Sequence, residues 1–139
     1  MMPNQRPYLC ALLCSLILFL SACSDLDKVG ISQLLDARDQ AISHRNISEY
    51  SALISSDYND SKRSKVEVVA QMLSLFDKFE QAEMSSYDRE IRRLSNGRAQ
   101  CKQSYTLRVF ADGEWRQIVQ REQLMLTEEA SGWKIISGL

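Results

Sequence analysis

Residues 96–113 read NGRAQCKQSYTLRVFADG, and this stretch decides the fold class. Between its first and last dipeptides, Asn-Gly and Asp-Gly, the side chains alternate, so the odd positions from 99 to 111 share one largely apolar face. Such alternation is typical of a half-buried strand. The two dipeptides are those that two-residue hairpin turns prefer. The stretch therefore predicts one strand between two hairpins of an antiparallel sheet.

The segments on either side of this stretch predict the neighbouring strands. Residues 83–94 lead into the first turn, and we predict a strand there, although helical spacing also fits. Residues 114–128 form a long strand whose apolar positions change from odd to even numbers, which predicts a bulge within 118–123. A short last strand, WKIISGL, is predicted at 133–139.

Helical spacing replaces alternation in the first half of the chain. The first helix carries one stripe at three- and four-residue intervals, formed by Ile31, Leu34, Leu35, Arg38, Ala41 and Ile42. A second helix is predicted to begin near Ile47 behind the pair Asn46 and Glu49. A third begins behind Ser64 and Glu67 and runs to about residue 81, since both pairs resemble capping boxes. The residues expected on the buried face of the third helix are Val66, Val69, Met72, Leu73, Phe76 and Phe79.

The order of these elements indicates the architecture. Helices that precede a run of hairpin-connected strands are typical of α+β domains. We therefore predict three N-terminal helices packed on a curved antiparallel sheet of four strands or slightly more.

The start of the chain resembles a bacterial lipoprotein signal. Arg6 precedes the uncharged segment 8–22, which is shorter than the roughly 20 apolar residues that a membrane-spanning helix needs. The segment ends in LSAC at Cys23, which resembles the lipobox. We predict that residues 1–22 are a removed signal peptide. The alternative is an uncleaved anchor with a chance cysteine.

This interpretation sets the domain boundaries and the compartment. Cys23 would carry the lipid, residues 23–30 would form a lipidated tether, and residues 31–139 would form the folded domain. Because residue 24 is serine rather than aspartate, the resemblance implies the outer membrane, facing the periplasm. Of the four cysteines only Cys101 would then remain free, so no intramolecular disulfide is expected.

Composition argues against two classes of partner. The formal net charge of −1 lacks the basic footprint of a nucleic-acid-binding protein. With one histidine, His44, the chain offers no histidine-rich metal site, and we expect neither a metal nor a cofactor.

Three phrases then suggest a family. LLDARDQAISHRN at 34–46, EYSALISSDYND at 49–60 and the closing GWKIISGL at 132–139 resemble the nuclear-transport-factor-2-like superfamily, including its SnoaL-like group. The resemblance implies a strongly curved sheet around long helices, which leaves a conical pocket. Another cystatin-like helix-on-sheet domain is the competing fold.

Enzymes of the resembled family often use a histidine or aspartate in the pocket as a base. Here we expect His44 to be exposed at a helix end, Asp57 and Asp60 to serve turn geometry, and Cys101 to be a buried core residue. Glu122 is expected to point away from the pocket unless the predicted bulge turns it inward. Isomerase chemistry therefore lacks its acidic partner on the sheet.

A binding pocket remains possible without catalysis. The residues predicted to contact a ligand are Tyr58, Gln103, Tyr105, Arg121 and Gln123. Arg121 would favour an anionic ligand. The basic run at 62–65 is interpreted as a solvated helix start rather than a lipid contact.

Three functional hypotheses follow. The first is a non-enzymatic envelope lipoprotein that binds a small molecule or a protein, which predicts a filled cone. The second is a SnoaL-like isomerase or lyase, which predicts an acidic cavity. The third is a homodimeric structural subunit paired through the outer sheet face, which predicts an exposed apolar patch on 114–128.

Overall fold

The computed structural model describes the backbone of residues 8–139 and the side chains of residues 25–139. The lipidation site Cys23 and the whole of the predicted signal peptide lie outside the residues whose side chains are described, so that interpretation stays a prediction. Within the described part of the chain, no helix combines the length and the apolar character that a membrane crossing requires.

Three helices and six strands make up the described chain. Their bounds, in chain order, are α1 (Tyr8–Ser43), α2 (Ile47–Ala52), β1 (Asn59–Asp60), β2 (Arg63–Ser64), α3 (Lys65–Lys78), β3 (Gln81–Arg93), β4 (Arg98–Ala111), β5 (Glu114–Glu129) and β6 (Gly132–Ser137). Strands β3 to β6 form one antiparallel sheet in sequential order, and β1 pairs with β2. The α+β class and the four-stranded sheet are thus confirmed.

The core lies between α1 and the inner face of the sheet. The odd positions of β4 point inward as predicted, and Ala99, Cys101 and Gln103 are fully buried there. Leu124 and Leu126 of β5 stand opposite the first two. Each fully buried aliphatic side chain of this size contributes roughly 1.5–3 kcal/mol to folding. This packing fixes which face of each strand can line an internal site.

The predicted turns and caps are present. Asn96 and Gly97 have φ values of 58° and 66°, and the Asp112-Gly113 turn has the same left-handed pair. Two consecutive positive φ values characterise the type I′ hairpin turn. The side chain of Asn46 caps α2, and Ser64 with Glu67 forms the predicted capping box of α3.

The bulge predicted within 118–123 is wrong. Strands β4 and β5 keep one register from end to end, and the shifts lie instead between Tyr87 and Glu90 and between Met125 and Leu126. The apolar positions of β5 change from odd to even numbers for another reason. The first half of β5 is exposed on both faces, and its odd-numbered apolar residues lie on the outer face.

The predicted buried face of α3 is wrong in part. Val66 is 77% exposed and Leu73 is also exposed, whereas Val68 and Phe76 are buried. Val66 lies in the first turn behind the cap, and the buried side of α3 runs through Val68 and Phe76 instead.

Residues 25–30, predicted as part of a tether, are helical and contact the sheet. The Asp27 carboxylate lies 2.6 Å from Arg93, and Gly30 lies against the ring of Trp133. The packed unit therefore begins before Ile31.

Helix α1 also covers the free edge of β3. The N–H of Met84 donates to Ser43 Oγ at 2.9 Å, and the N–H of Ser86 donates to Asp39 at 2.7 Å. Unpaired edge groups invite pairing with other chains. These side chains satisfy them within the monomer.

The last two residues bond to the segment that contains β1 and β2. Leu139 N–H donates to the Tyr58 hydroxyl at 3.0 Å, and Arg63 donates to the Leu139 carbonyl at 2.5 Å. Gly138 adopts φ 102°, and a Cβ atom on it would lie 2.2 Å from the Gln123 carbonyl oxygen. Only glycine fits this approach.

We expect Gly138→Ala to lower the free energy of unfolding by roughly 2–3 kcal/mol, because strain and a backbone clash combine. Gly113→Ala is the matched control, since Gly113 has φ 78° but open space around it. That variant should lose only about 1 kcal/mol. Urea denaturation measures both, and equal losses would contradict the clash.

Candidate functional site

The structure brings only some of the predicted ligand residues to the cone. Gln103 and Tyr105 lie on the inner face, as expected. Arg121 and Gln123 are exposed on the outer face, because the β4–β5 register places them opposite Ser104 and Lys102. The expectation that they form the cone floor is therefore corrected, and the argument for an anionic ligand built on Arg121 falls with it.

Tyr58 is buried, but its role is structural. Its hydroxyl is bonded to Leu139, and it packs in the core below the tail. Burial raises the pKa of the Tyr58 phenol, so the group stays protonated at neutral pH.

Glu122 points into the cone, contrary to the prediction. In the undistorted β5 strand it shares the inner face with Leu124 and Leu126. Its Oε1 atom accepts two hydrogen bonds, from Arg38 Nη2 at 2.7 Å and from Gln103 Nε2 at 2.7 Å. An acidic group thus stands on the sheet where sequence reasoning placed none.

Arg38 is the other residue that sequence reasoning missed. It comes from the middle of α1 and is 2% exposed. The available signal was its position within an otherwise apolar helical stripe, where a charged side chain must find a buried partner. That partner, Glu122, is 84 residues away in sequence.

A second arginine fixes the orientation of Gln103. Arg89 Nε donates to Gln103 Oε1 at 2.9 Å, so the amide nitrogen of Gln103 is directed at Glu122. Arg89 is in turn held by Asp36 at 2.7 Å and lies 3.8 Å from Asp39. The β3 bulge, with Asp88 at φ 53°, lies immediately before Arg89.

Arg38 and Glu122 border a cavity of about 130 Å³. Its lining consists of Arg38, Ile42, Met72, Met84, Tyr105, Leu107, Glu122 and Leu139. Two nitrogens of Arg38, Nε and Nη1, are buried and have no hydrogen-bond partner among the described residues. The cavity is thus apolar on most sides, and its polar side chains are Arg38, Glu122 and Tyr105.

The remaining candidates have structural surroundings. His44 is exposed after the end of α1, and Asp57 is exposed in its turn. Asp60 pairs with Arg63 at 3.0 Å, and Lys65 donates to the Ile54 carbonyl at 2.9 Å. The basic run thus supports the local loop.

Cys101 is a buried core residue, as predicted. Burial raises the pKa of the Cys101 thiol to about 11, so a reactive thiolate is not formed at neutral pH. Among the side chains of residues 25–139, no group of three potential ligands could hold a metal ion.

The inner face continues beyond the cavity as an apolar groove of about 270 Å³. Leu75 and Phe79 line one side of it, and Leu107, Val109 and Ile118 the other. Leu107 belongs to both the cavity and the groove.

The outer face carries a small apolar patch. Trp115 packs on Phe110 with ring centroids 5.4 Å apart, and Val119 is 56% exposed nearby. The ion pairs Arg108–Glu83 and Arg121–Glu90, each at 2.8 Å, flank the patch.

Comparison with known proteins identifies the fold. No family sequence model and no characterised protein sequence matches the chain. Solved structures do match. A protein provisionally named scytalone dehydratase, from Novosphingobium aromaticivorans, superposes with a TM-score of 0.73 at 11% identity, covering 85% of each chain.

Two further structures agree. A provisionally named aromatic ring hydroxylase from Novosphingobium aromaticivorans has a TM-score of 0.71 at 14% identity, over 81% of this chain and 93% of that one. A provisionally named dehydratase of the NTF2-like family from Streptomyces avermitilis has 0.69 at 12%, over 82% and 94%. The chain therefore has the nuclear-transport-factor-2-like cone fold.

Proposed function

We propose that this chain is an envelope lipoprotein whose cone binds a small molecule without converting it. The observation that carries the binding role is the Arg38–Glu122 pair, two largely buried charged side chains on the lining of an otherwise mostly apolar cavity. The Nε and Nη1 atoms of Arg38 are buried and have no partner among the described residues, at a cost of about 1–3 kcal/mol each. A ligand oxygen that reached the guanidinium would recover part of that cost.

The Arg38–Glu122 ion pair supports a role in binding rather than in stability alone. A buried pair is often no more stable than well-packed apolar side chains of similar volume. Arg38 and Glu122 therefore need not be present for folding alone. A binding role accounts for their place in an otherwise apolar cone.

The geometry favours binding over catalysis. Glu122 is the only carboxylate side chain among the described residues that line the cavity, and its Oε1 already accepts bonds from Arg38 and Gln103. Tyr105, on the same lining, has a phenol whose pKa is raised by burial, so it supplies no phenolate base at neutral pH. A general base must be free to reach a substrate proton.

Methionine methyl NMR tests the binding role. Met72 and Met84 line the cavity, whereas Met125 lies outside it. We expect benzamide, a ring-sized neutral acceptor, to shift the ¹³C-methyl signals of the first two and to leave the third unchanged. A cavity of about 150 Å³ holds benzene, and half-saturation on the order of 1 mM is expected for so small a ligand.

The matched control removes both charges. Arg38→Leu/Glu122→Leu should unfold at a urea concentration equal to or above that of the wild type, yet lose the benzamide shifts. Glu122→Leu alone should lose about 3 kcal/mol, because it leaves Arg38 buried without its anion. Unchanged benzamide binding in the double variant would overturn the role of Arg38.

Glu122 also supports a second candidate, an enzyme that removes a proton beside a carbonyl. Incubating the full chain with cyclohexanone in D₂O decides between the two. If the protein only binds small molecules, cyclohexanone should take up deuterium at the same rate as in buffer without protein. Exchange that is accelerated by the wild type and lost in Glu122→Gln would establish the enzyme instead.

The lipid anchor rests on the sequence pattern that ends at Cys23. Leu26 and Val29, exposed apolar residues that follow it on α1, are consistent with a nearby bilayer.

In a bacterial host, we expect alkynyl-palmitate labelling of the wild type and of Cys101→Ser, but not of Cys23→Ser. The labelled protein should fractionate with the outer membrane, and Ser24→Asp should move it to the inner membrane. An intact, unlabelled peptide from Met1 through Cys23 would refute the anchor.

The outer-face patch supports pairing with a second copy. A two-fold interface needs a self-complementary surface, and the ion pairs beside Trp115 and Val119 leave that surface without excess charge. Sedimentation velocity should show a dimer that Val119→Glu dissociates. Ile118→Glu, a neighbouring change on the opposite face, should leave the dimer intact. A wild-type protein that stays monomeric at a concentration of about 100 μM would exclude pairing.

A further inference from the structure

The apolar groove adjoins the proposed binding site. Leu107 forms part of the lining of both spaces, so an aliphatic side chain lies where they meet. The cavity carries the Arg38–Glu122 pair, and the groove is lined mainly by apolar side chains such as Leu75, Phe79 and Ile118, together with Arg116 and Gln117. The combined site therefore has a charged pair at the cavity end and a mostly apolar surface along the groove.

Ile118 marks the part of the groove that the monomer leaves uncovered. It points to the inner face of β5, in line with Glu122, but is 48% exposed. The residues of β5 from 114 to 121 are exposed, whereas Leu124 and Leu126 further along are buried under the helices. An apolar chain extending from the cavity across Leu107 would cover Ile118.

The charges around Arg38 determine the head group. Arg38 and Arg89 supply two positive charges, and Glu122, Asp36 and Asp39 supply three negative ones within the same network. An anionic head would add a fourth negative charge to a mostly buried cluster, which is unfavourable. A neutral acceptor such as an amide, ester or ketone oxygen would satisfy Arg38 without that penalty.

We propose that the ligand is a neutral amphiphile. Its oxygen accepts from Arg38, and its single alkyl chain runs over Leu107 into the groove below the end of α3. This inference deepens the proposed small-molecule function and depends on it. A peptide strand fits less well, because its amide groups would meet the aliphatic and aromatic side chains of Leu75, Phe79 and Ile118.

A chain-length series tests the path of the alkyl group. Butanamide, hexanamide and octanamide are titrated into the full chain, and the Met72 and Met84 methyl signals report occupancy. Each methylene buried should tighten binding about fourfold, the equivalent of ~0.8 kcal/mol. Octanoate, which is ionised at pH 7.5, should bind at least tenfold more weakly than octanamide.

Two neighbouring substitutions locate the chain. Ile118→Asp should remove the gain from butanamide to octanamide while leaving butanamide binding unchanged. Val119→Asp, at a similarly exposed position on the opposite face, should preserve the full gain. Both residues are on the exposed half of β5, so neither change disturbs the buried core.

The outcomes separate the two proposals. If benzamide and butanamide shift the methionine signals but chain length has no effect, or octanoate binds best, the amphiphile inference is overturned and the binding function stands. If no amide shifts Met72 or Met84, both are overturned. A length effect that survives Ile118→Asp would place the chain elsewhere and reject this path.

Discussion

One chain of buried polar contacts links α1 to the inner face of the sheet. Arg38 binds Glu122, Gln103 bridges Glu122 to Arg89, and Arg89 returns to Asp36 on α1. The helix and the two central strands are thereby fixed at one relative position, since a shift of one residue in either strand would leave a buried charge unpaired. Apolar packing alone tolerates such shifts more easily.

The same network explains why a cone of this size keeps an open space. The guanidinium of Arg38 directs only Nη2 at Glu122, and its Nε and Nη1 atoms are buried without a partner among the described residues. Packing further apolar side chains around this charged pair is unfavourable. The methionines on the other walls are flexible enough to adapt to a guest. A polar wall with adaptable apolar walls is the arrangement that small-molecule sites share.

Sequence reasoning succeeded where the signal is local. Hairpin turns, helix caps and the alternation of β4 depend on residues a few positions apart, and all of them are present. It failed at β5, because the strand is exposed on both faces over its first half. The apolar residues there do not indicate which face packs on the core. The bulge predicted within 118–123 does not exist, and the unbroken register places Glu122, rather than Arg121 and Gln123, on the inner face. Arg38 was visible in the helical stripe, but its partner could be found only from the tertiary pairing.

The first half of β5 carries apolar side chains that the described monomer leaves exposed. Ile118 and Val119 are adjacent, exposed and apolar, and they point to opposite faces of the sheet. One covering partner cannot bury both, because the sheet lies between them. Ile118 lines a groove that adjoins the cavity holding the Arg38–Glu122 pair, which suits a narrow ligand. Val119 lies on the same open face as Trp115, flanked by ion pairs, which suits another folded surface. We therefore expect the two faces of β5 to bind two different kinds of partner. A substitution on one face should remove one partner without affecting the other.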